Sequence, residues 1–409
     1  MSPVACPSGF EEAERCVQCA LCLPHCPTYR LTHDESESPR GRLAMLAAWG
    51  GDSAALDPSM RAALDHCLGC LACEVVCPAA VPYGRLIDRY HEVTERPLRT
   101  PLVRLLVWLT RRHRVAGALH HLLQGLQETG ILSFLRRIAP GGLARVLSLM
   151  PDPYPRAGTN LRRMGARNAG TRRVSILMGC VSSLWMPEAY AAAETLLVRW
   201  GYAVDLAPHA FCCGALARHA GRVRTAEALR AELRDVLSAD QPVLVLDSGC
   251  VGETRAALGS DRPGARPVHE LAAFLDANWP EAFKATLDRP ERVGLHIPCT
   301  QRTEVGDAGA PARLLRRIGN LTVQAIPDGY GCCGAAGSYV LREPGMSGAL
   351  AAPLVGSLGP EPPDRIVTTN IGCRLRWQAE LRQAGLEIPV EHPVDILLRA
   401  CGHPRPATG

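Results

Sequence analysis

Lysine is almost absent from this chain, and long apolar runs are missing. Lys284 is the only lysine among 45 basic residues, and aromatic residues make up 5% of the 409 positions. No apolar run reaches the roughly 18 residues that a membrane-spanning helix needs. The first residues, MSPVACPSGFEEAERC, show neither the basic nor the apolar segment of a secretory signal. We therefore expect a cytoplasmic protein, at most peripheral on the inner face of a membrane.

Several function classes are disfavoured by what the chain does not contain. The formal charge of +5 comes from arginines scattered along the chain, which is a poor signal for nucleic-acid binding. There is no G-x-G-x-x-G fingerprint, no flavin domain and no general-base constellation. His296 is the one histidine near a repeated motif, and a buried core histidine explains it better than a catalytic one. We expect no nucleic-acid partner and no catalytic residues in this chain.

Cysteine, in contrast, is abundant and patterned. The chain has eighteen cysteines. Two runs of them read C-x2-C-x2-C-x3-C-P, one starting at Cys16 and the other at Cys67. This is the bacterial-type ligand string for [4Fe–4S] clusters, in which the fourth cysteine binds the other cluster. Zinc knuckles are the alternative, but they rarely need this spacing twice. We assign Cys16, Cys19, Cys22 and Cys77 to a first cluster, and Cys67, Cys70, Cys73 and Cys26 to a second.

The length predicts two to four domains, since a domain has about 100–200 residues. Residues 1–95 hold both cluster motifs, and the helical patterns at 42–50 and 58–67 favour an α-helical two-cluster domain over a compact βαβ ferredoxin. Between the two cluster motifs, Ser38-Pro39-Arg40-Gly41-Arg42 has two interpretations. The arginines either stabilise negative charge on the clusters or belong to a solvated turn.

Residues 96–170 are predicted to be a basic helical linker. The stretches 98–115 and 116–149 alternate leucine pairs with arginine and histidine, with breaks at Gly130 and at Pro140-Gly141-Gly142. Such helices can lie on an anionic membrane surface or dock on a partner. Packing against the rest of the chain is the favoured interpretation. PDPYPRAGTN, at 151–160, is predicted to be exposed.

From residue 171 the chain repeats itself, with a first unit at 171–288 and a second at 289–409. Cys180, Cys213 and Cys250 recur as Cys299, Cys333 and Cys373, at offsets of 119, 120 and 123 positions. Each unit alternates short β-branched runs with helices, which predicts a small parallel α/β sheet. The cysteines follow strands, where such sheets place their sites.

The repeat supplies eight cysteines, four to a unit. They are Cys180, Cys212, Cys213 and Cys250, followed by Cys299, Cys332, Cys333 and Cys373. Metal or cluster binding by at least one unit is the favoured interpretation, with structural thiols and redox-active thiols as alternatives. The glycines after each pair, Gly214 and Gly334, suggest that something bulky approaches the backbone there.

The full layout resembles the iron–sulfur subunit of glycolate oxidase (glycolate dehydrogenase). The motifs that carry the resemblance are CxxCxxCPTYR at 19–30, SPRGRL, CLGCLACEVVCP, MGC, CCGA, SGC, HIPCT, the Asp328 segment, CCGAAGSY and TNIGC. The resemblance implies a multidomain chain in which the two-cluster domain precedes two cysteine-rich CCG domains. Those domains also resemble heterodisulfide reductase, whose pattern has a further cysteine where this chain has Glu253 and Arg376. A third cluster in the CCG domains therefore stays open.

The resemblance also implies a role. The chain is expected to be a non-flavin electron-transfer subunit that takes electrons from flavin-containing dehydrogenase subunits and passes them toward membrane quinone. The substrate of the complex would be glycolate or a similar 2-hydroxy acid. Alternatives are the iron–sulfur subunit of an anaerobic glycerol-3-phosphate dehydrogenase, a heterodisulfide-reductase-like subunit and a zinc-binding scaffold.

Overall fold

The N-terminal region is helical. The computed structural model describes residues 9–50, 56–94, 101–139, 141–151, 172–206, 211–237, 241–260, 264–327 and 329–402; Cys6, Asp328 and residues 152–160 lie outside them. Helices α1–α5 span Pro27–Thr32, Pro39–Trp49, Pro58–Asp65, Ala72–Val75 and Tyr83–Val93, with short 3₁₀ turns at Glu11–Arg15, Leu23–His25 and Glu35–Glu37. Among the described residues before 95 there is no strand, as the helical prediction requires.

Proline and a polar cap begin the helices of this region. Helix α2 starts at Pro39, and the Ser38 hydroxyl accepts a 2.9 Å bond from the Gly41 amide. Helix α3 begins at Pro58 after the cap Asp57. Proline suits the first helical position because its missing N–H is not needed there. The helices then pack around a buried apolar core that includes Leu46, Leu64, Leu86 and Tyr90.

The linker forms four helices, α6–α9. They span Pro101–Leu109, His113–Glu128, Ile131–Ile138 and Gly141–Leu149. The break at Gly130 was predicted and the break at 110–112 was not, whereas Gly141 and Gly142, predicted to lie in a break, belong to α9. At 110–112 the Thr110 hydroxyl donates 2.8 Å back to the Val107 carbonyl, a side-chain bond to the backbone that competes with continuing the helix. No described helix is both long and apolar enough to cross a bilayer.

The first α/β unit is a four-stranded parallel sheet in the order β2-β1-β3-β4. Strands β1–β4 are Arg172–Leu177, Tyr202–Leu206, Val243–Val245 and Val268–Glu270. Helices α10–α15 are Ser182–Trp185, Pro187–Arg199, Ala215–His219, Val223–Val236, Ser248–Leu258 and Leu271–Ala277. In the central strand, Ile176 pairs with Leu206 on one side and Leu244 on the other.

The second unit repeats this topology, with a parallel sheet in the order β6-β5-β7-β8. Strands β5–β8 are Thr286–Leu295, Gly319–Ala325, Arg365–Val367 and Val390–Glu391. Helices α16–α21 are Ala310–Arg316, Tyr339–Arg342, Pro344–Ala351, Pro353–Gly356, Ile371–Gln383 and Pro393–Arg399, with a π-helical turn at Gln301–Val305. The predicted tandem of small parallel-sheet units is confirmed.

The two sheets share one apolar core. Ile176 and Leu197 of the first unit lie in the same buried cluster as Leu295, Leu315 and Leu397 of the second. The loops after the strands also meet, because the Ser248 amide donates 2.9 Å to the Thr369 carbonyl. The carboxyl ends of the two sheets, where the repeated cysteines lie, are therefore next to each other.

Candidate metal centres

A first cavity lies on the helical region. It is open to solvent, and its lining includes Cys16, Cys19, Cys22, Cys73 and Cys77. The first three belong to the first motif and the last two to the second. Cys19 is exposed and Cys16, Cys22 and Cys77 are half-buried, so this cavity is close to the surface.

A second cavity has the reciprocal composition. Cys67, Cys70 and Cys73 of the second motif line it together with Cys26 of the first. Cys26 and Cys73 are buried. The fourth cysteine of each motif thus lines the cavity of the other motif, and Cys73 lines both.

Left-handed backbone turns shape the cysteine loops. Gln18 and Ala20 have φ of 54° and 68°, and Leu71 has φ of 58°. Residues other than glycine adopt this conformation rarely, and here it turns successive cysteines toward one cavity. Helix α1 then starts at Pro27, directly after Cys26, which carries Cys26 away from its own motif.

A buried cation borders the second cavity. Arg42 is 1% exposed, and its Nη1 lies 3.9 Å from the Cys26 sulfur. Its Nη2 pairs with Glu37 at 2.6 Å, and its Nε donates 2.7 Å to the Ala63 carbonyl. The Tyr83 hydroxyl donates 3.6 Å to the Cys67 sulfur. Donors directed at ligand sulfurs stabilise negative charge on a metal centre.

The two arginines of the 38–42 turn therefore differ. Arg42 borders the second cavity, whereas Arg40 is half-buried and pairs with Glu35 at 2.6 Å. Arg40 also donates 3.2 Å to the Gln18 carbonyl within the first cysteine loop. Each arginine therefore borders one cavity, which fits the electrostatic interpretation of the turn, and Arg40 also holds the first cysteine loop in place.

The four cysteines of the first α/β unit converge at the ends of its strands. Cys213 and Cys250 have sulfurs 3.1 Å apart. Cys180 is in hydrogen-bonding contact with Cys212, which lowers the pKa of Cys212 to about 7 and raises that of Cys180. We call these four cysteines the first CCG site.

The second unit gathers its cysteines in the same way. The Cys333 and Cys373 sulfurs are 2.7 Å apart, and Cys332 is in hydrogen-bonding contact with both Cys299 and Cys333. Cys332, Cys333 and Cys373 are buried. We call this set the second CCG site.

The glycines after the cysteine pairs are needed for backbone reasons. Gly214 and Gly334 have φ of 99° and 75°, where other residues are strained. A Cβ on Gly334 would lie 2.5 Å from the Ser347 carbonyl, and one on Gly214 would lie 3.0 Å from the Ala226 carbonyl. The bulky group expected at these glycines is the backbone of a following helix.

At the two positions where the heterodisulfide reductase pattern has a further cysteine, this chain has residues that form ion pairs. Glu253 is within 2.6 Å of both Arg218 and Arg230. Arg376 pairs with Glu380 at 3.1 Å and donates 3.3 Å to the Ser347 carbonyl. Each unit therefore offers four thiols, as the sequence indicated.

Asp247 and Asn370 were not singled out from the sequence. Asp247 caps helix α14 and Asn370 caps α20, three residues before the last cysteine of each unit. A Cβ on Gly249 would lie 2.7 Å from the Asn370 amide nitrogen, so the caps lie where the two units meet. Burial raises the pKa of Asp247 to about 6. The matching sequences DSGC and NIGC, which end at these two cysteines, could have indicated both caps.

The second CCG site adjoins the second cavity. Cys70 and Cys332 belong to one apolar cluster, and burial together with the nearby Cys299 sulfur raises the pKa of Cys70. The Tyr339 hydroxyl donates 2.9 Å to the His66 carbonyl, and Arg30 donates 2.6 Å to the Gly329 carbonyl. The helical region is thus held directly against the second unit.

The donor chemistry of both cavities fits iron–sulfur clusters. Within the described residues, no group of three or more His, Cys, Asp or Glu side chains is arranged around a single metal ion. The cysteines instead surround open cavities, and thiolates are the usual ligands of cubane clusters. The described cysteines are all free thiols.

Known families and proteins match most of the chain. Residues 12–81 match a family described as a 4Fe-4S dicluster domain, and residues 174–253 and 293–377 match a cysteine-rich domain family. The Escherichia coli glycolate oxidase iron-sulfur subunit is 31% identical over 94% of this chain and 93% of its own. A Bacillus subtilis probable glycolate oxidase iron-sulfur subunit is 29% identical over 96% and 95%. Lactate utilization protein A of Geobacillus kaustophilus is 26% identical over 55% of this chain and 98% of its own.

Proposed function

Because the chain belongs to the family of glycolate oxidase iron–sulfur subunits, we propose that it conducts electrons within a complex that oxidises a 2-hydroxy acid. The electrons would come from flavin-containing partner subunits and leave toward membrane quinone. The chain would not oxidise substrate alone. Its location would be cytoplasmic, peripheral on the inner membrane face.

Two [4Fe–4S] clusters would be held by crossed cysteine sets. Cys16, Cys19, Cys22 and Cys77 would hold the first, and Cys67, Cys70, Cys73 and Cys26 the second. The observation that carries this proposal is the mixed lining of the two cavities, each with the fourth cysteine of the other motif. When bound, such clusters supply one-electron redox chemistry.

The protein's own contribution is burial, charge and positioning. Apolar side chains, including Leu43 and Val81 at the first cavity and Leu68 at the second, limit water around the thiolates. Arg42 directs a positive charge at Cys26. The two features act in opposite directions: exclusion of water disfavours the reduced, more negative state, whereas the Arg42 charge and hydrogen bonds to sulfur favour it.

We propose that the second CCG site holds a third cluster, through Cys299, Cys332, Cys333 and Cys373. Its support is position, because its sulfurs lie beside Cys70 of the second cavity. The first CCG site, with Cys180, Cys212, Cys213 and Cys250, has the same donor set but lies against linker helix α6 rather than against Cys70. Redox-active thiols are the alternative for this first site.

The test is metal analysis with cysteine variants of the full chain purified without oxygen. We expect about twelve irons per chain, whereas about eight would mean that the CCG sites are empty. Cys77→Ser should remove the same electron paramagnetic resonance signal as Cys16→Ser, and Cys26→Ser the same signal as Cys70→Ser. Cys401→Ser is the matched control, since Cys401 belongs to none of the four cysteine sets.

Two results would contradict the proposal. If Cys77→Ser removed the signal that Cys70→Ser removes, the crossed assignment would be wrong. Zinc in place of iron and acid-labile sulfide would exclude electron transfer altogether. Cys373→Ser should lower iron by about a third and leave both ferredoxin-type signals intact.

Lactate is a second candidate substrate for the complex. The support is the similarity to lactate utilization protein A, which covers about half of this chain. The native complex, isolated through a tag on this chain, should be supplied with glycolate, D-lactate and glycerol 3-phosphate in turn. Reduction of the clusters by only one of these substrates would identify the substrate class.

A further inference from the structure

The linker helices carry most of the exposed apolar side chains of the described residues. Nine of thirteen exposed large apolar residues lie on α6–α9. They are Leu105, Trp108, Val115, Leu119, Leu122, Ile131, Phe134, Ile138 and Leu143. Single exposed apolar residues need no explanation, but a concentration of this kind marks an interaction surface.

These residues are arranged in stripes. Val115, Leu119 and Leu122 follow one another at helical spacing along α7, and Ile131, Phe134 and Ile138 do the same along α8. Helices α7 and α8 pack against each other. We call these two stripes together the outer linker face.

The other side of the linker is already used. Val103 and Val107 of α6 are buried in one cluster with Cys212 and Leu229, and Thr110 lies within hydrogen-bonding reach of the Cys212 sulfur. The prediction that the linker packs on the rest of the chain therefore holds for its inner side only. The outer linker face remains after that packing is complete.

Charge indicates what covers this face. Between residues 101 and 149 the sequence has seven arginines, and Glu128 is the only acidic residue. Arg104, Arg112, Arg114 and Arg137 are exposed, and the Arg112 guanidinium lies 5.6 Å from the centre of the Trp108 ring. Apolar stripes bordered by arginine match the headgroup region of an anionic membrane, where the apolar side enters the lipid.

We propose that the outer linker face binds an anionic lipid surface, with α7 and α8 lying in the plane of the headgroups. This proposal deepens the proposed function and rests on it, because that function passes electrons to an acceptor in the membrane. It places the inner side of the linker, and with it the first CCG site, directly behind the lipid contact. Peripheral binding of this kind needs no membrane-spanning helix.

The test is flotation of the cluster-loaded full chain with vesicles. One set is pure phosphatidylcholine, and the other contains about 30% phosphatidylglycerol, which supplies the anionic surface. We expect flotation with the anionic vesicles, weakened by added salt because exposed charges are screened. Leu122→Glu and Phe134→Glu should each lower vesicle affinity about tenfold, since each places a carboxylate at the lipid surface.

Val198→Glu is the matched control, because Val198 is exposed on the first unit, away from the linker. It should float like the wild type. Equal flotation of all variants, or none for the wild type, would overturn the proposal. The proposal would also be overturned if the flavin-containing subunits, in the absence of lipid, protected α7 and α8 from hydrogen exchange and vesicles added no further protection.

Reduction of a soluble dye by the assembled complex separates this proposal from the proposed function. Leu122→Glu and Phe134→Glu should leave dye reduction unchanged while flotation is weakened. If the wild-type complex bound vesicles but reduced no dye, the electron-transfer role would fail and the membrane surface would stand.

Discussion

Arg42 is a buried cation shared between a carboxylate and a cysteine sulfur. Its partners are Glu37 at 2.6 Å and the Cys26 sulfur at 3.9 Å, and it also donates 3.1 Å to the Thr28 hydroxyl. Removing Arg42 alone would leave the buried Glu37 carboxylate with only His66, whose Nδ1 lies 2.6 Å from it, as a cation, which is destabilising. A neutral replacement of both partners separates the effect of charge from the effect of folding.

The double variant Arg42→Gln/Glu37→Gln should lower the midpoint potential of the centre that includes Cys26. The hydrogen-bond shape is kept, but the cation beside the sulfur is lost, so the reduced state is less stable. A loss of about 1.4 kcal/mol corresponds to about 60 mV for a one-electron couple. The measurement is a redox titration followed by paramagnetic resonance.

Arg40→Gln is the control for this prediction, because Arg40 lies near the first cysteine loop. It should leave the second centre unchanged. A double variant that kept the wild-type potential would mean that the Arg42 charge is already cancelled by Glu37. Arg42→Lys, which keeps the charge, should shift the midpoint potential much less than the double variant does.

At the residue scale, the sequence predicts ligands better than their surroundings. Cysteine spacing indicates the two motifs because ligand geometry restricts the intervals. It cannot show that Arg42 is buried while Arg40 is half-exposed, since both lie in the first turn of the same helix. Asp247 was also missed, because a helix cap between two units depends on contacts across the repeat.

Strand β4 and helix α15 are joined through a buried carboxylate. Glu270 is fully buried, and its carboxylate accepts bonds of 2.9 and 3.0 Å from the Ala272 and Ala273 amides. Burial raises the pKa of Glu270 to about 7, compared with about 4.3 for an ordinary glutamate. The folded state therefore holds the Glu270 proton more tightly than the unfolded state does.

This raised pKa sets the sign of a pH effect. The contribution of Glu270 to stability is complete below the unfolded pKa and is lost as pH rises through about 7. Between about pH 6 and pH 8 the loss is about 1 kcal/mol of the free energy of unfolding. Glu270→Gln, which cannot ionise, should remove that part of the pH dependence in denaturant titrations.

Asp205→Asn is a suitable control, because hydrogen bonds from Gln241 and Arg173 lower the pKa of Asp205 and it has no transition in this range. It should keep the wild-type slope between about pH 6 and pH 8. An unchanged slope in Glu270→Gln would show that Glu270 is ionised throughout.

At the element scale, periodicity succeeds where segments are long. The helices at 187–199 and 223–236 were predicted because their apolar positions recur over several turns. Strands β4 and β8 have only three and two residues, which is too short for a pattern. The repeat supported the parallel-sheet prediction as a whole, since each unit supported the interpretation of the other, but it did not indicate these two strands.

The whole molecule is held together by contacts between the helical region and both α/β units. Arg30 and Tyr339 join the helical region to the second unit. Arg218 of the first unit pairs with Asp88 of helix α5 and with Glu253. No sequence pattern announces such contacts, because their partners are more than a hundred residues apart. They place the second cavity against the second CCG site.

Glu253 occupies the position where a heterodisulfide-reductase-like pattern has a further cysteine, and Glu253→Cys would restore that pattern. We nevertheless expect no additional iron, because the Glu253 side chain is directed at Arg218 and Arg230 and not at the cysteines. The substitution leaves two half-buried arginines without their shared carboxylate, which should cost about 2 kcal/mol in the free energy of unfolding. Hydrogen exchange should then rise in helix α5, where Asp88 loses its ordered partner.

Glu253→Gln should show part of the same loss of stability, and Glu361→Gln, which removes the acid of an exposed ion pair, should show little. A rise in bound iron with Glu253→Cys would mean that the position is directed at the metal and that the four-thiol description of the unit is wrong.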